Sequence, residues 1–159
     1  MRTKNNQKGF SLIELLIVVA IILIIAAIAI PNLLRSRMAA NEASAVGSLR
    51  TLNTAAVTYS TTYGIGYPAT IAAMGPAATA SSTAADLIDS VLANNVKSGY
   101  SFSYSAATAV AGTVNAYNIT ATPSNQGVTG QRTFFTNESG VIRADATGGT
   151  ATVNSTPIS

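Results

Sequence analysis

The sequence contains no cysteine and no histidine. Without thiols there are no disulfide staples, no thiolate metal sites and no cysteine nucleophile, so an exported domain has to hold together by packing alone. Without histidine, and with only six carboxylates in 159 residues, the usual hydrolytic triads and zinc sites have no material. The chain is therefore expected not to be an enzyme and to need no cofactor. Charge is scarce as well. The formal net charge of +3 does not describe a basic surface, because Arg2, Lys4 and Lys8 all precede Gly9 and the remaining chain carries six basic and six acidic side chains. A broad phosphate-binding face loses its support, and no nucleic-acid partner is expected. Ser, Thr, Ala and Asn take the place of charge, which suits an exported protein with a neutral surface. The length fits one domain and an extension.

The extension lies at the N-terminus. Met1 to Lys8 is polar, basic and without apolar periodicity, so it reads as a leader outside the fold. Phe10 to Ile30 is an apolar run of 21 residues, which as a helix spans about 31 Å, close to a hydrocarbon core of ~30 Å. It holds one carboxylate, Glu14. The 14 Leu, Ile and Val residues between Leu12 and Ile30 favour insertion by roughly 4 to 8 kcal/mol, against at most ~3.5 for one buried acid. Insertion wins, but the acid still calls for a reason. Arg2, Lys4 and Lys8 favour a cytoplasmic N-terminus, and Arg35 and Arg37 on the other flank pull the opposite way. A second reading stays open: Ala27-Ile28-Ala29 resembles a secretory cleavage site, although this run is longer than the usual ~7–15 residues and a carboxylate has no use there.

Beyond Pro31, Met38, Ala45, Leu49, Leu52, Ala56, Tyr59 and Tyr63 form a helical stripe, with Glu42 occupying a skipped turn. Asn41, Ser44, Ser48, Thr51, Thr58 and Thr62 make a separate polar row. Phe10 to Tyr63 thus reads as one helix, apolar all round in its first half and amphipathic in its second. Pro31 is expected to kink or loosen it, and Gly64 to cap it. Ala72 to Ser82 promises little regular structure. A short helix is expected over Ala84 to Ala93, capped by Ser82 or Thr83, with Asp86 and Asp89 on a solvated face.

Tyr100 to Tyr104 and Tyr117 to Ala121 alternate with period two, and Gln131 to Thr136 and Val141 to Ala144 flank the turn Asn137-Glu138-Ser139-Gly140. The expected architecture is α+β: three or four antiparallel strands laid on the amphipathic helix, followed by an exposed tail from Ala146. Asn118-Ile-Thr120, Asn137-Glu-Ser139 and Asn154-Ser-Thr156 match a glycosylation pattern that so Ser/Thr-rich a chain produces by chance, and they receive no role.

Lys8-Gly9-Phe10-Ser11-Leu12-Ile13-Glu14, followed by an apolar helix to Pro31, resembles the class III signal of type IV pilins and type II secretion pseudopilins. The resemblance covers about the first third of the chain, and the downstream order of elements is similar to the pilin fold. It implies a leader at 1–9, a membrane-spanning and filament-core segment at 10–31 and a globular domain at 32–159. It also implies cleavage by prepilin peptidase between Gly9 and Phe10, N-methylation of Phe10, a role for Glu14 in methylation and subunit recruitment, and a helix that loosens at Pro31. The implied partners are copies of the same chain, the peptidase, an assembly platform and inner-membrane lipid before assembly into an extracellular pilus. Cleavage creates an ammonium at Phe10 that Glu14 of a neighbour can pair with. A pseudopilin forming a short periplasmic filament is the alternative within the family, and an adhesive module on a plain membrane anchor is the alternative outside it. Pilins often carry a disulfide, which this chain lacks. Pseudopilins often carry calcium, for which Glu138 and Asp145 are the available acids, a poor cage for an ion that takes 6–8 oxygens.

Overall fold

The computed structural model describes residues 9–158; Met1 to Lys8, which the sequence reads as leader, lie outside the described residues. The first element is α1, Leu12–Tyr63, which continues through Pro31. Leu, Ile and Ala dominate its first half, and the proline ring leaves the Ala27 carbonyl without its i+4 donor. At the other end Gly64 takes φ +67° and its N–H reaches the Ser60 carbonyl at 3.0 Å, the left-handed cap that glycine adopts without strain.

Contacts divide the chain within this helix, one unit ending at Ser36 and the other beginning at Arg37. In the first unit every large apolar side chain from Phe10 to Leu34 is exposed, and the most apolar window of the helix has a mean hydropathy of 3.3. In the second unit Ala45, Leu49, Leu52, Ala56 and Tyr59 of the expected stripe are buried, together with Ala55 and Ser48. Leu49 and Leu52 have no exposed surface; burial of each such side chain contributes roughly 2 kcal/mol.

The covering layer is an antiparallel sheet in the order β1-β2-β3-β4-β5-β6. Its strands are β1 Val96–Lys97, β2 Tyr100–Ala106, β3 Tyr117–Pro123, β4 Thr133–Asn137, β5 Arg143–Asp145 and β6 Thr156–Pro157. The period-two reading of the sequence holds: Tyr100 and Phe102 of β2 and Tyr117, Ile119 and Ala121 of β3 are buried, with Phe102 opposite Ala121. The hairpin at 137–140 also forms, with Gly140 at φ +73° donating to the Asn137 carbonyl at 2.9 Å.

Three expectations are corrected. The sheet has six strands because β1 and β6, two residues each, are too short to show any period. They sit at the edges, where short length, Lys97 and Pro157 discourage pairing with another sheet. The tail is only partly exposed: β6 pairs with β5, and Ala151 is buried because its N–H donates to the Thr133 hydroxyl at 3.1 Å. That hydroxyl in turn donates to the Gly149 carbonyl at 2.5 Å. Finally, the helix expected over Ala84 to Ala93 shrinks to α2, Ser90–Ala93, capped by Asp89 and not by Ser82 or Thr83. The N–H groups of Ala85, Asp86, Leu87 and Ile88 bond instead to carbonyls of Ala73, Met74 and Gly75, and Asp86 sits at φ +54°, which no right-handed helix accepts. Those carbonyls follow from a 3-10 helix at Ile71–Met74, where little regular structure was expected; Ile71 and Met74 are buried.

Candidate functional site: two carboxylates on one helix

Gly9 and Phe10 precede α1 and are not helical, and Phe10 is 83% exposed. The helix starts at Leu12 because Ser11 and Glu14 close the first turn. The Ser11 N–H donates to Glu14 Oε2 at 2.9 Å, while the Ser11 carbonyl accepts from the N–H groups of Glu14 at 3.1 Å and Leu15 at 3.2 Å. A glutamate three residues after a serine, reaching back to the serine N–H, is one half of a capping box, and a negative charge there also faces the positive end of the helix dipole. The carboxylate that the sequence left without a partner in its own chain therefore has one. The Ser-x-x-Glu spacing was the signal for it.

Around Glu14 the surface is hydrocarbon. A recess of about 280 Å³ is lined by Leu12, Leu15, Leu16 and Val19 alone, and the apolar exposure runs unbroken along the helix. A patch on this scale exceeds by far what soluble monomers leave uncovered, so it requires lipid or protein against it.

The prokaryotic N-terminal methylation motif matches residues 4–30. Over 38 residues the chain is 66% identical to the type IV wide pilus major component PilA4 of Thermus thermophilus, a stretch that covers 24% of this chain and 29% of that protein. The N-terminal segment of the chain is thus similar to that of a type IV pilus component. It is also 48% identical over 54 residues to the type IV major pilin protein PilA of Myxococcus xanthus, covering 34% of this chain and 24% of that one. The aligned stretches take in less than a third of either relative's length. No solved structure matches the chain.

The same helix carries a second carboxylate further on, and here the sequence misled. Glu42 was set outside the apolar face, yet it is buried, 7% exposed. Its Oε1 accepts from the N–H groups of Gln131 at 2.9 Å and Arg132 at 3.1 Å, and its Oε2 from Arg132 Nε at 2.8 Å. Burial by itself pushes this carboxyl up; the two backbone N–H groups and the Arg132 guanidinium outweigh it and hold the pKa below the ordinary value of 4.5. Arg132 is fixed in turn, its guanidinium 5.4 Å from the Phe134 ring centre and its carbonyl accepting from the Tyr100 hydroxyl at 2.8 Å. Burial, with the Glu42 charge nearby, raises the Tyr100 phenol. Asn41, the residue before Glu42, donates through Nδ2 to the Thr129 carbonyl at 2.8 Å. Together these bonds tie the β3–β4 connection to the helix. No local pattern announces this, because the partners lie about ninety residues downstream.

Glu138 and Asp145, the two acids considered for calcium, are not brought together. Thr133 of β4 pairs with Asp145 of β5 and Glu138 follows Asn137 at the other end of β4, so the two acids lie at opposite ends of that strand pair, on the order of 16 Å apart along it. Asp145 Oδ1 accepts from Thr147 Oγ1 at 2.6 Å, Thr147 N at 2.9 Å and Gly149 N at 3.1 Å, bonds that lower its pKa and hold its own loop. Glu138 Oε2 accepts one long bond, 3.4 Å, from Tyr117 N. Among the described residues no three metal-liganding acids gather. Asp89 is not merely solvated either: Oδ1 caps the Leu92 N–H at 2.9 Å and Oδ2 pairs with Lys97 at 2.8 Å.

Proposed function

We propose that this chain is the major structural subunit of a type IV pilus, a non-enzymatic protein that polymerises through its N-terminal helix. The observation that carries the reading is an apolar helix segment exposed on every side, bearing one carboxylate, in a stretch two-thirds identical to the Thermus thermophilus pilus component. In this reading residues 1–9 are a leader, 10–31 the membrane and filament-core segment and 32–159 the globular domain. The subunit waits in the inner membrane with its N-terminus cytoplasmic. Prepilin peptidase cuts between Gly9 and Phe10 and methylates Phe10, and an assembly platform moves the subunit from lipid into an extracellular filament.

Glu14 retains the Ser11 N–H on Oε2 after such a cut, since Ser11 stays in the chain, and Oε1 has no hydrogen bond among the described residues. That oxygen is open to the Phe10 ammonium of a neighbour. In a core of packed apolar helices an unpaired carboxylate costs several kcal/mol, so the pair selects one axial offset between subunits. Pro31, which leaves a carbonyl unpaired in the middle of α1, is the point at which the helix loosens on packing. Mass spectrometry of the mature N-terminal peptide tests the reading. The expected result is a methylated Phe10 terminus; a terminus at Met1 or at Ile30 overturns it, pointing respectively to a plain anchor and to an ordinary secretory signal.

A further inference from the structure

A groove of about 330 Å³ runs along the solvent side of α1, lined by Arg50, Thr51, Thr54, Ala55, Thr58 and Leu87. Thr51, Thr54 and Thr58 donate their hydroxyl hydrogens to the carbonyls of Gly47, Arg50 and Thr54, so each turns an oxygen lone pair and a methyl outward. Arg50 is exposed and has no ion-pair partner among the described residues. The groove therefore presents one cation and a row of acceptors, and asks for a carboxylate accompanied by N–H donors.

The unit that holds this groove also holds the complement. Of its acids, Glu42 and Asp89 are paired, Asp145 is engaged by Thr147 and Gly149, and Asp86 adjoins Leu87 in the groove's own wall. Glu138 remains, exposed in the Asn137–Gly140 turn and holding only one long bond, 3.4 Å, from Tyr117 N; beside it Asn137 Nδ2 makes no hydrogen bond among the described residues. This turn is out of reach of the groove in its own copy. Asn53 Nδ2 donates to Thr136 Oγ1 at 2.9 Å, which puts the end of β4 on the Asn53 flank of the helix, and Asn53 lies about 100–160° around the axis from the three threonines at 100° per residue. Opposite flanks of one molecule meet between copies as a heterologous contact, and such contacts build open helical assemblies where the rotation does not close a ring.

We infer that the Arg50 groove seats the Glu138 turn of a second copy, a lateral contact that adds to the apolar helix core and rests on the filament reading above. Both side chains are exposed and Glu138 gives up only the long bond from Tyr117 N, so charge reversal is expected to leave the fold intact, which the near-UV signal of the tyrosines checks. Arg50→Glu and Glu138→Arg are each expected to lower the yield of sheared filaments about tenfold, through like charges repeated at every contact, and the double reversal to restore most of it. Because the chain has no cysteine, Arg50→Cys with Glu138→Cys gives a clean background, and oxidation is expected to produce a ladder of multimers. The contact is overturned if either single reversal assembles at the wild-type level, or if the double reversal assembles no better than the singles. Rescue of Arg50→Glu by Asp86→Arg, with cross-linking that stops at a dimer, also overturns it, in favour of a closed two-fold pair. Normal filaments from the reversed variants remove this contact alone; absence of filaments from the unaltered chain removes the filament reading with it.

Discussion

Glu14 and Glu42 are the same residue type on the same helix in opposite environments. Glu14 lies on an exposed apolar segment and satisfies one oxygen with the N–H of Ser11, three residues away. Glu42 lies under a sheet and satisfies both oxygens with groups about ninety residues away. The first is free to take a partner from another molecule; the second is closed by its own chain. One helix thus has two characters, a bare apolar surface in its first part and the wall of a packed domain in its second.

Several changes break or sharpen that contrast. The largest effect is expected from core truncation: Leu52→Ala should cost about 3 kcal/mol of stability, the lost transfer energy plus a cavity. The equivalent change at Ile22, 57% exposed, should leave unfolding of the domain unchanged. Thermal unfolding of the full chain in detergent, followed by tyrosine near-UV circular dichroism, separates the two, because all six tyrosines lie between Tyr59 and Tyr117. Equal losses at both positions would show that the apolar half is not independent of the core.

Removing the two glutamates comes next. Glu42→Ala should cost about 2 kcal/mol, less than a fully buried pair, since the Arg132 side chain remains 42% exposed. Glu14→Ala should leave the same melt unchanged and the protein still membrane-inserted, but should abolish filament yield. Normal filaments from the Glu14 variant would refute its role in register.

Acid is expected to weaken the unaltered domain more than a variant that lacks the Glu42 carboxylate. The folded pKa of Glu42 is lowered from 4.5, so its contribution is fully present above that value and is lost as pH falls below it. The wild-type melting temperature should therefore drop in this range more steeply than that of Glu42→Gln; parallel curves would mean that the Arg132 clamp contributes nothing. The smallest effect belongs to the exposed pair of Asp89 and Lys97: Lys97→Ala should change stability by under about 1 kcal/mol, and salt should erase the difference.

Much of this was legible in the sequence. The apolar run, its carboxylate, the alternating strands at 100–104 and 117–121 and the glycine cap at 64 all depend on neighbours within one or two turns, and periodicity exposes such neighbours. The half of a capping box at Ser11-x-x-Glu14 was equally local and stood in plain view. The run from Ala84 to Ile88 misled for the opposite reason: its composition suits a helix, but the carbonyls of Ala73 to Gly75 offered its N–H groups a better set of acceptors.

By itself the sequence determined where hydrocarbon is exposed, where the chain turns and which charge sits in the apolar segment, because each is a property of adjacent residues. Only the tertiary structure decided that Glu42 is an interior group, that the tail closes over Thr133, that Glu138 and Asp145 stand apart and that a threonine groove faces away from the sheet. Each of these depends on which distant segments come to lie together, and a hydrogen bond spanning ninety residues leaves no mark on the residues beside either partner.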